Sequence, residues 1–412
     1  MFKLDTLWSQ EPLPSRGWNF HAPLQMGLRL WKKAAANLNT GLVQFAAGRP
    51  AFFASPGRAQ KTGSCSGIRR PSVRFFAAVG LCTICGMATA ATETAAAGGG
   101  SPTAQAPAVR LPRIVLAGPA AVVTYPLLHM VETGALNEHA EKVEFRLWQN
   151  PDQLRVLLAK QEIDYSAAPS NLPALMANRG DPVKLLNISV WGILWLVSRD
   201  PDIRTFRDLA GKELLVPFQR DLPEVLLDTL LTAQREDGGA KEEVRLRRTR
   251  DSQDAIALML TGKGQSALLV EPTASLLLWR AQRQGDMALY RGQNLESAWR
   301  EQFPDRAELP QAGIMANSHM AANTRLNQVV EQAYAESARW CKANAGKCAE
   351  LVHRYIPQLP VEPVKTAIEL TRLESRSAAQ ARPQLEALYG LVAGRYPQSI
   401  GGHLPAAEFY GP

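Results

Sequence analysis

Long apolar runs are missing from this sequence. No stretch reaches 18 uninterrupted apolar residues in 412, which argues against a chain that crosses the membrane repeatedly. Histidine is scarce: six in all, and His129, His139, His319, His353 and His403 are scattered with no metal-ligand spacing. Nucleophile elbows, phosphate-binding loops and zinc-type His pairs are absent. Gly262-Lys263-Gly264 is only a fragment of a Gly-rich loop and reads as an exposed turn. No catalytic residue, metal or cofactor is therefore expected.

Acidic residues are nearly missing from one end. Residues 1–90 hold 11 Lys or Arg but only Asp5 and Glu11, a net +9, which leaves −1 of the chain's +8 for the other 322 residues. A body so close to neutral lacks the broad basic footprint of a nucleic-acid binder, and no nucleic-acid partner is expected. What is present suits folding: 46% hydrophobic and 20% charged residues, in a chain long enough for two or three domains.

The basic end has the pattern of an export leader. Arg69-Arg70-Pro71-Ser72-Val73-Arg74 precedes an apolar run from Phe75 to Met87, and Ala88-Thr89-Ala90 closes it with small residues. A basic start, a short apolar run and a small-x-small end make a signal peptide, placed at 65–90, so the expected location is the periplasm. Residues 1–64 read as a disordered or non-native extension, with the true start downstream of Met1. Residues 91–110, rich in Ala, Gly, Ser and Thr, read as a flexible linker. Twin-arginine export is the lesser alternative to the general route. A lipid anchor at Cys82 or Cys85 is not favoured, because neither has a good lipobox.

Cysteine is scarce too. Cys65, Cys82 and Cys85 lie within the leader, and only Cys341 and Cys348 remain beyond it. In an oxidising compartment two cysteines usually pair. Seven residues of continuous helix would hold them about 10 Å apart, beyond disulfide reach, so pairing requires a turn at Asn344-Ala345-Gly346. A structural disulfide is expected.

From Pro112 onward, short strand-like runs alternate with amphipathic segments. Arg113–Ala117, Val143–Trp148 and Ile163–Ala168 read as strands, with helices between them. The run Val183–Val197 reads as paired strands crossing the molecule. The same pattern restarts with strands at Glu213–Val216, Val244–Arg248 and Ser266–Val270 and helices from Leu222 and Asp254. The last third is mostly helical. This alternation predicts an α/β fold with parallel strands.

Three strand-end loops open helices with small, polar or proline residues: Gly118-Pro119-Ala120, Pro169-Ser170-Asn171 and Pro217-Phe218-Gln219-Arg220-Asp221. Ligands of open α/β sheets sit beyond the carboxyl ends of strands, where helix N-termini offer free N–H groups. Ordinary helix-start chemistry accounts for the same residues.

An ordered series of segments resembles one branch of ABC-importer substrate-binding proteins, the nitrate/sulfonate/taurine and thiamine-precursor type. The series begins with Gly118-Pro119-Ala120-Ala121-Val122-Val123-Thr124-Tyr125-Pro126. It continues with Trp148-Gln149-Asn150-Pro151-Asp152, Ala167-Ala168-Pro169-Ser170-Asn171, Asn187–Leu194, Val216-Pro217-Phe218 and Leu269-Val270-Glu271-Pro272. It closes with Gly401-Gly402-His403-Leu404-Pro405.

The resemblance implies a type II periplasmic binding fold: two α/β lobes joined by two crossover strands, with a ligand cleft between them. Lobe 1 would comprise 110–196 plus 290–412, and lobe 2 197–289. It implies a monomeric, non-enzymatic protein that closes on a small molecule and delivers it to an ABC transporter permease and its ATPase. By motif position the first-lobe contacts would be Gly118, Pro119, Thr124, Asn150, Ser170 and Asn171, with Trp191 as an aromatic wall. The second lobe would offer Phe218, Gln219, Arg220, Asp221 and Glu271. Core burial of Trp191, and helix capping by Glu271-Pro272, are the alternatives for those two sites. Arg220 suits a sulfonate- or nitrate-like anion, the favoured ligand. Asp221 with Glu271 suits an amine-bearing pyrimidine precursor. An enzyme on the same fold, of the thiamine-pyrimidine synthase or chorismate dehydratase kind, and a receptor-linked sensor remain alternatives.

Overall fold

The computed structural model describes residues 110–412 apart from 219–220, 239–241 and 286. The expected extension, signal peptide and all but the last residue of the linker lie outside the described residues, as do Gln219 and Arg220.

The chain opens with β1 (Ile114–Gly118), buried on both faces, and a 3-10 turn at Val122–Thr124. Helix α1 (Tyr125–Thr133) follows and stops at Gly134, whose φ of 67° suits glycine. Next come β2 (Val143–Leu147), α2 (Pro151–Ala159), β3 (Tyr165–Pro169), α3 (Asn171–Asn178) and β4 (Lys184–Val190). The second series runs β5 (Leu194–Ser198), β6 (Glu213–Val216), α4 (Leu222–Glu236), β7 (Arg245–Arg248), α5 (Ser252–Leu260), β8 (Ser266–Val270), α6 (Thr273–Gln284), β9 (Tyr290–Asn294) and α7 (Leu295–Gln302). The chain then returns through β10 (Ala312–Ala316), α8 (Thr324–Ala343), α9 (Ala345–Tyr355), α10 (Val361–Leu370), β11 (Leu373–Ser377) and α11 (Ala378–Arg395).

Two sheets result. One has the order β11-β4-β10-β3-β1-β2 and the other β7-β6-β8-β5-β9. They form a two-lobed α/β fold in which the chain crosses between lobes twice, at 191–193 and between α7 and β10. The second sheet begins at Leu194, ahead of the expected boundary at 196/197, and extends to Asn294, past 289/290.

The sheets are mixed rather than parallel. β1 runs parallel to β2 and β3, and β6 to β7 and β8. β10 runs antiparallel to β3 and β4, β11 to β4, and β5 to β8 and β9. β5 and β10, the first strands reached after each crossing, follow no helix of their own lobe, and each runs against both of its neighbours. The expected pairing within Val183–Val197 does not form: the chain crosses from one sheet to the other between β4 and β5, so each belongs to a different sheet.

Close backbone approach fixes one sheet position. A Cβ at Gly313 would lie 1.8 Å from the carbonyl oxygen of Asn187 on the neighbouring strand, so only glycine fits there. At the helical end, α8 breaks at Asn344 and α9 starts again at Ala345. The break brings the Cα atoms of Cys341 and Cys348 to 5.1 Å, and the two are disulfide-bonded. Among the described residues no helix is long and apolar enough to cross a membrane.

Candidate functional site

The ends of β1, β2 and β3 in one lobe face the ends of β6, β7 and β8 in the other across a cleft of about 630 Å³. Pro119, Gln149, Asn150 and Pro169 line it from the first lobe; Pro217, Phe218, Asp221 and Val270 line it from the second. Ile193 and Gln311, on the two crossings, form its back.

Each loop is held by its own bonds. Thr124 Oγ1 donates to the Pro119 carbonyl (2.6 Å), and Ala121 N–H donates to the same oxygen (2.8 Å). That fold-back leaves no room at Gly118, where a Cβ would lie 2.2 Å from Thr124 Oγ1. Asn150 caps α2: its Oδ1 accepts from Gln153 N–H at 2.9 Å, while Pro151 occupies the first turn, where no N–H is needed. Asp221 precedes α4 in extended backbone, but its carboxylate makes no capping bond. Burial pushes its carboxyl up from the usual range; nearby Arg155 opposes this, while Asp152 and Glu224 add to it.

An aromatic side chain stands on each lobe. Trp148 is 4% exposed and lines the cleft, its indole N–H donating to Ser166 Oγ at 3.1 Å. Phe218 is half-buried on the other side. Charges gather at the edge. Arg155 pairs with Asp152 at 2.6 Å and Arg250 with Asp254 at 3.5 Å, while Asp251 caps α5 through Asp254 N–H.

The structure thus brings Pro119, Asn150, Phe218 and Asp221 of the expected contacts to the cleft. Gly118 and Thr124 shape the first loop from behind it. Ser170 is fully buried: its N–H donates to Gln311 O and its carbonyl accepts from Tyr389 OH, while its Oγ has no partner and does not line the cleft. Asn171 instead holds the C-terminal segment, its Nδ2 donating to Ser399 O at 3.2 Å.

Two expected contacts have other work. Trp191 is 0% exposed and lies in a core cluster, with its N–H donating to Glu374 O and the Arg372 and Arg376 guanidiniums over its ring. It is therefore not a wall of the cleft; Trp148 and Phe218 are. Glu271 is 0% exposed, pairs with Arg291 and accepts from Ser275 N–H at 3.1 Å, so its carboxylate caps α6 and does not face the cleft.

Arg155, Arg250, Asp251 and Gln311 were not among the expected contacts. Arg250-Asp251 follows a strand and opens a helix, just as Phe218–Asp221 does, and that shared pattern was the available signal. Gln311 precedes a strand of small residues that carries no clear strand signature. Among the described residues no group of His, Cys, Asp and Glu could hold a metal ion.

No protein-family model matches the chain, and no curated protein sequence matches it significantly. Solved structures do resemble it. An ABC transporter protein from Parabacteroides distasonis aligns over 73% of this chain and 99% of its own, at 20% identity and a TM-score of 0.60. The alkanesulfonate-binding protein SsuA from Xanthomonas axonopodis pv. citri, bound to MOPS, aligns over 74% and 100%, at 15% identity and a TM-score of 0.55. The periplasmic aliphatic sulphonate binding protein SsuA from Escherichia coli aligns over 73% and 92%, at 14% identity and a TM-score of 0.56. At such identities the likeness establishes the fold: that of ABC-importer substrate-binding proteins.

Proposed function

We propose that this chain is the periplasmic solute-binding component of an ABC importer, closing its lobes on a small organic molecule and presenting it to a permease driven by its ATPase. The observation that carries this reading is the cleft itself, lined by strand-end loops of both lobes with Trp148 on one side and Phe218 on the other. A ligand touching both lobes stabilises their approach, and hinge closure of this kind is the working motion of such folds. The protein is read as acting as a monomer, with no cofactor.

The favoured ligand has an apolar body and an anionic head, as in a sulfonate. Most of the lining is apolar, including Ala121, Val123, Ile193, Leu194, Leu222 and Leu226. This suits an organic anion better than a bare inorganic one, whose whole surface needs donors. A sulfonate is also what the SsuA neighbours are named for. A second reading, an amine-bearing ligand such as a pyrimidine precursor, draws on the carboxylates of Asp152, Asp221 and Asp251 at the same cleft.

Thermal unfolding against benzenesulfonate, benzoate, benzylamine and nitrate tests both. Ligand at 100 times its dissociation constant stabilises the folded form by about 2.7 kcal/mol. The expected result is a rise in midpoint with the aromatic anions, with the compound recovered unchanged. A rise with benzylamine alone supports the second reading. Consumption of a compound supports an enzyme instead, and no rise with any probe overturns the reading.

A further inference from the structure

Gln311 stands where the two crossings meet. Its backbone N–H donates to Val190 O at 3.0 Å, and its backbone carbonyl accepts from Ser170 N–H at 3.0 Å. Its side chain reaches the other crossing, where Oε1 accepts from the backbone N–H of Ile193 at 3.0 Å. That bond fixes which end of the amide is which. Only the oxygen can accept, so the other end is the NH₂ group. Gln311 is 4% exposed, it lines the back of the cleft, and its Nε2 has no partner. Buried polar groups are almost always bonded. Nine buried side-chain atoms lack a partner among the described residues, and Gln311 is the one residue of the nine that lines the cleft, where its unpaired donor asks for an acceptor.

We infer that Gln311 Nε2 is the donor that receives the ligand's head group, so that the ligand enters head first and its acceptor oxygen rests against the hinge. This deepens the proposed function and rests on it. The consequence concerns ligand class: a sulfonate, carboxylate or carbonyl oxygen satisfies Nε2, whereas an ammonium offers only further donors. It also concerns the hinge. The amide that holds Ile193 is the one the ligand touches, so both crossings meet the ligand through one side chain, between lobes whose aromatic groups flank its body.

The test uses the full chain and a head-swapped series on one aromatic body: benzenesulfonate, benzoate and benzylamine. Gln311→Glu keeps an oxygen for Ile193 N–H and replaces the donor with a negative charge; Gln311→Met removes the donor without adding charge and takes the acceptor of Ile193 N–H with it. Binding is read by calorimetry and folding by circular dichroism. The expected result is at least tenfold weaker binding of both anions in Gln311→Glu and severalfold weaker in Gln311→Met, with benzylamine held as well or better in Gln311→Glu. The Met variant carries the test if the Glu variant fails to fold. Phe218→Ala serves as the control and should weaken every probe the wild type binds. Anion binding unchanged within twofold in a folded Gln311 variant, beside a loss in Phe218→Ala, overturns this inference and leaves the cleft reading standing. Wild-type preference for benzylamine also overturns it. No binding of any probe, or equal binding in Phe218→Ala, overturns both.

Discussion

Arg291 Nη1 lies 2.5 Å from Glu271 Oε1, and that carboxylate has no exposure to solvent. Arg291 also donates to Ser275 Oγ at 2.8 Å and lies over the Trp195 ring at 4.8 Å. The guanidinium therefore ties β9 to the start of α6 and packs against β5. Removing one partner of such a pair leaves the other charge buried alone, which typically costs 3–5 kcal/mol. Glu271→Ala is expected to lower unfolding stability by about 3 kcal/mol or more. Urea unfolding measures this. Ligand preference across the head-swapped series should stay as in the wild type, since Glu271 does not line the cleft; a changed preference would restore it as a contact.

Trp148 and Trp191 make a second contrast. Both are nearly or wholly buried, but only Trp148 lines the cleft. A bound ligand should change tryptophan emission mainly through Trp148. Trp148→Phe is expected to lose most of the ligand-induced signal, and Trp191→Phe to retain it. The reverse outcome would return Trp191 to the site.

Glu331 on α8 has its carboxyl pushed up to about 7 by burial alone. Its folded value lies above its unfolded one, so the folded state binds the proton more tightly. That contribution is fully present below about pH 4.3 and is lost as pH rises through about 7. Glu331→Gln should therefore flatten the fall in stability between those limits and exceed the wild type by about 1–3 kcal/mol at pH 8, allowing for solvent screening. Denaturation midpoints at pH 4 and pH 8 check the sign; equal losses at both would count against it.

The disulfide closes only a short loop, so the chain-entropy account gives it about 2–3 kcal/mol. Cys341→Ser with Cys348→Ser should lower the thermal midpoint by several degrees. Ligand affinity should not change, because neither residue lines the cleft. An affinity loss would show that α8 and α9 bear on closure.

How much of this was legible beforehand depended on local signals. Ser266–Val270 was read with the bounds it has, because an apolar run follows the Gly262–Gly264 turn. The break at Asn344 followed from requiring Cys341 and Cys348 to meet. β9 and β11 were missed because Tyr-Arg-Gly-Gln-Asn and Leu-Glu-Ser-Arg-Ser are polar, and their pairing is decided by neighbours distant in sequence. β10 was missed because its glycine answers to Asn187, on another strand. The site followed the same rule. Phe218 and Asp221 were marked by helix-start chemistry, whereas the place of Gln311 depends on two crossings meeting, which no local pattern states. Glu271 was misplaced because its Arg291 partner is 20 residues away.

The first sheet is discontinuous in sequence. The adjacent strands β4 and β10 come from residues 184–190 and 312–316, and β11 adds 373–377. The second sheet is one unbroken stretch from Leu194 to Asn294. During synthesis, the second lobe has all its strands 79 residues before β11 begins, since β9 ends at Asn294 and β11 starts at Leu373. Non-local pairing is slow to form. The order of assembly is thus written into the path of the chain: the inserted lobe can form first, and the lobe built from the segments on either side of it closes last.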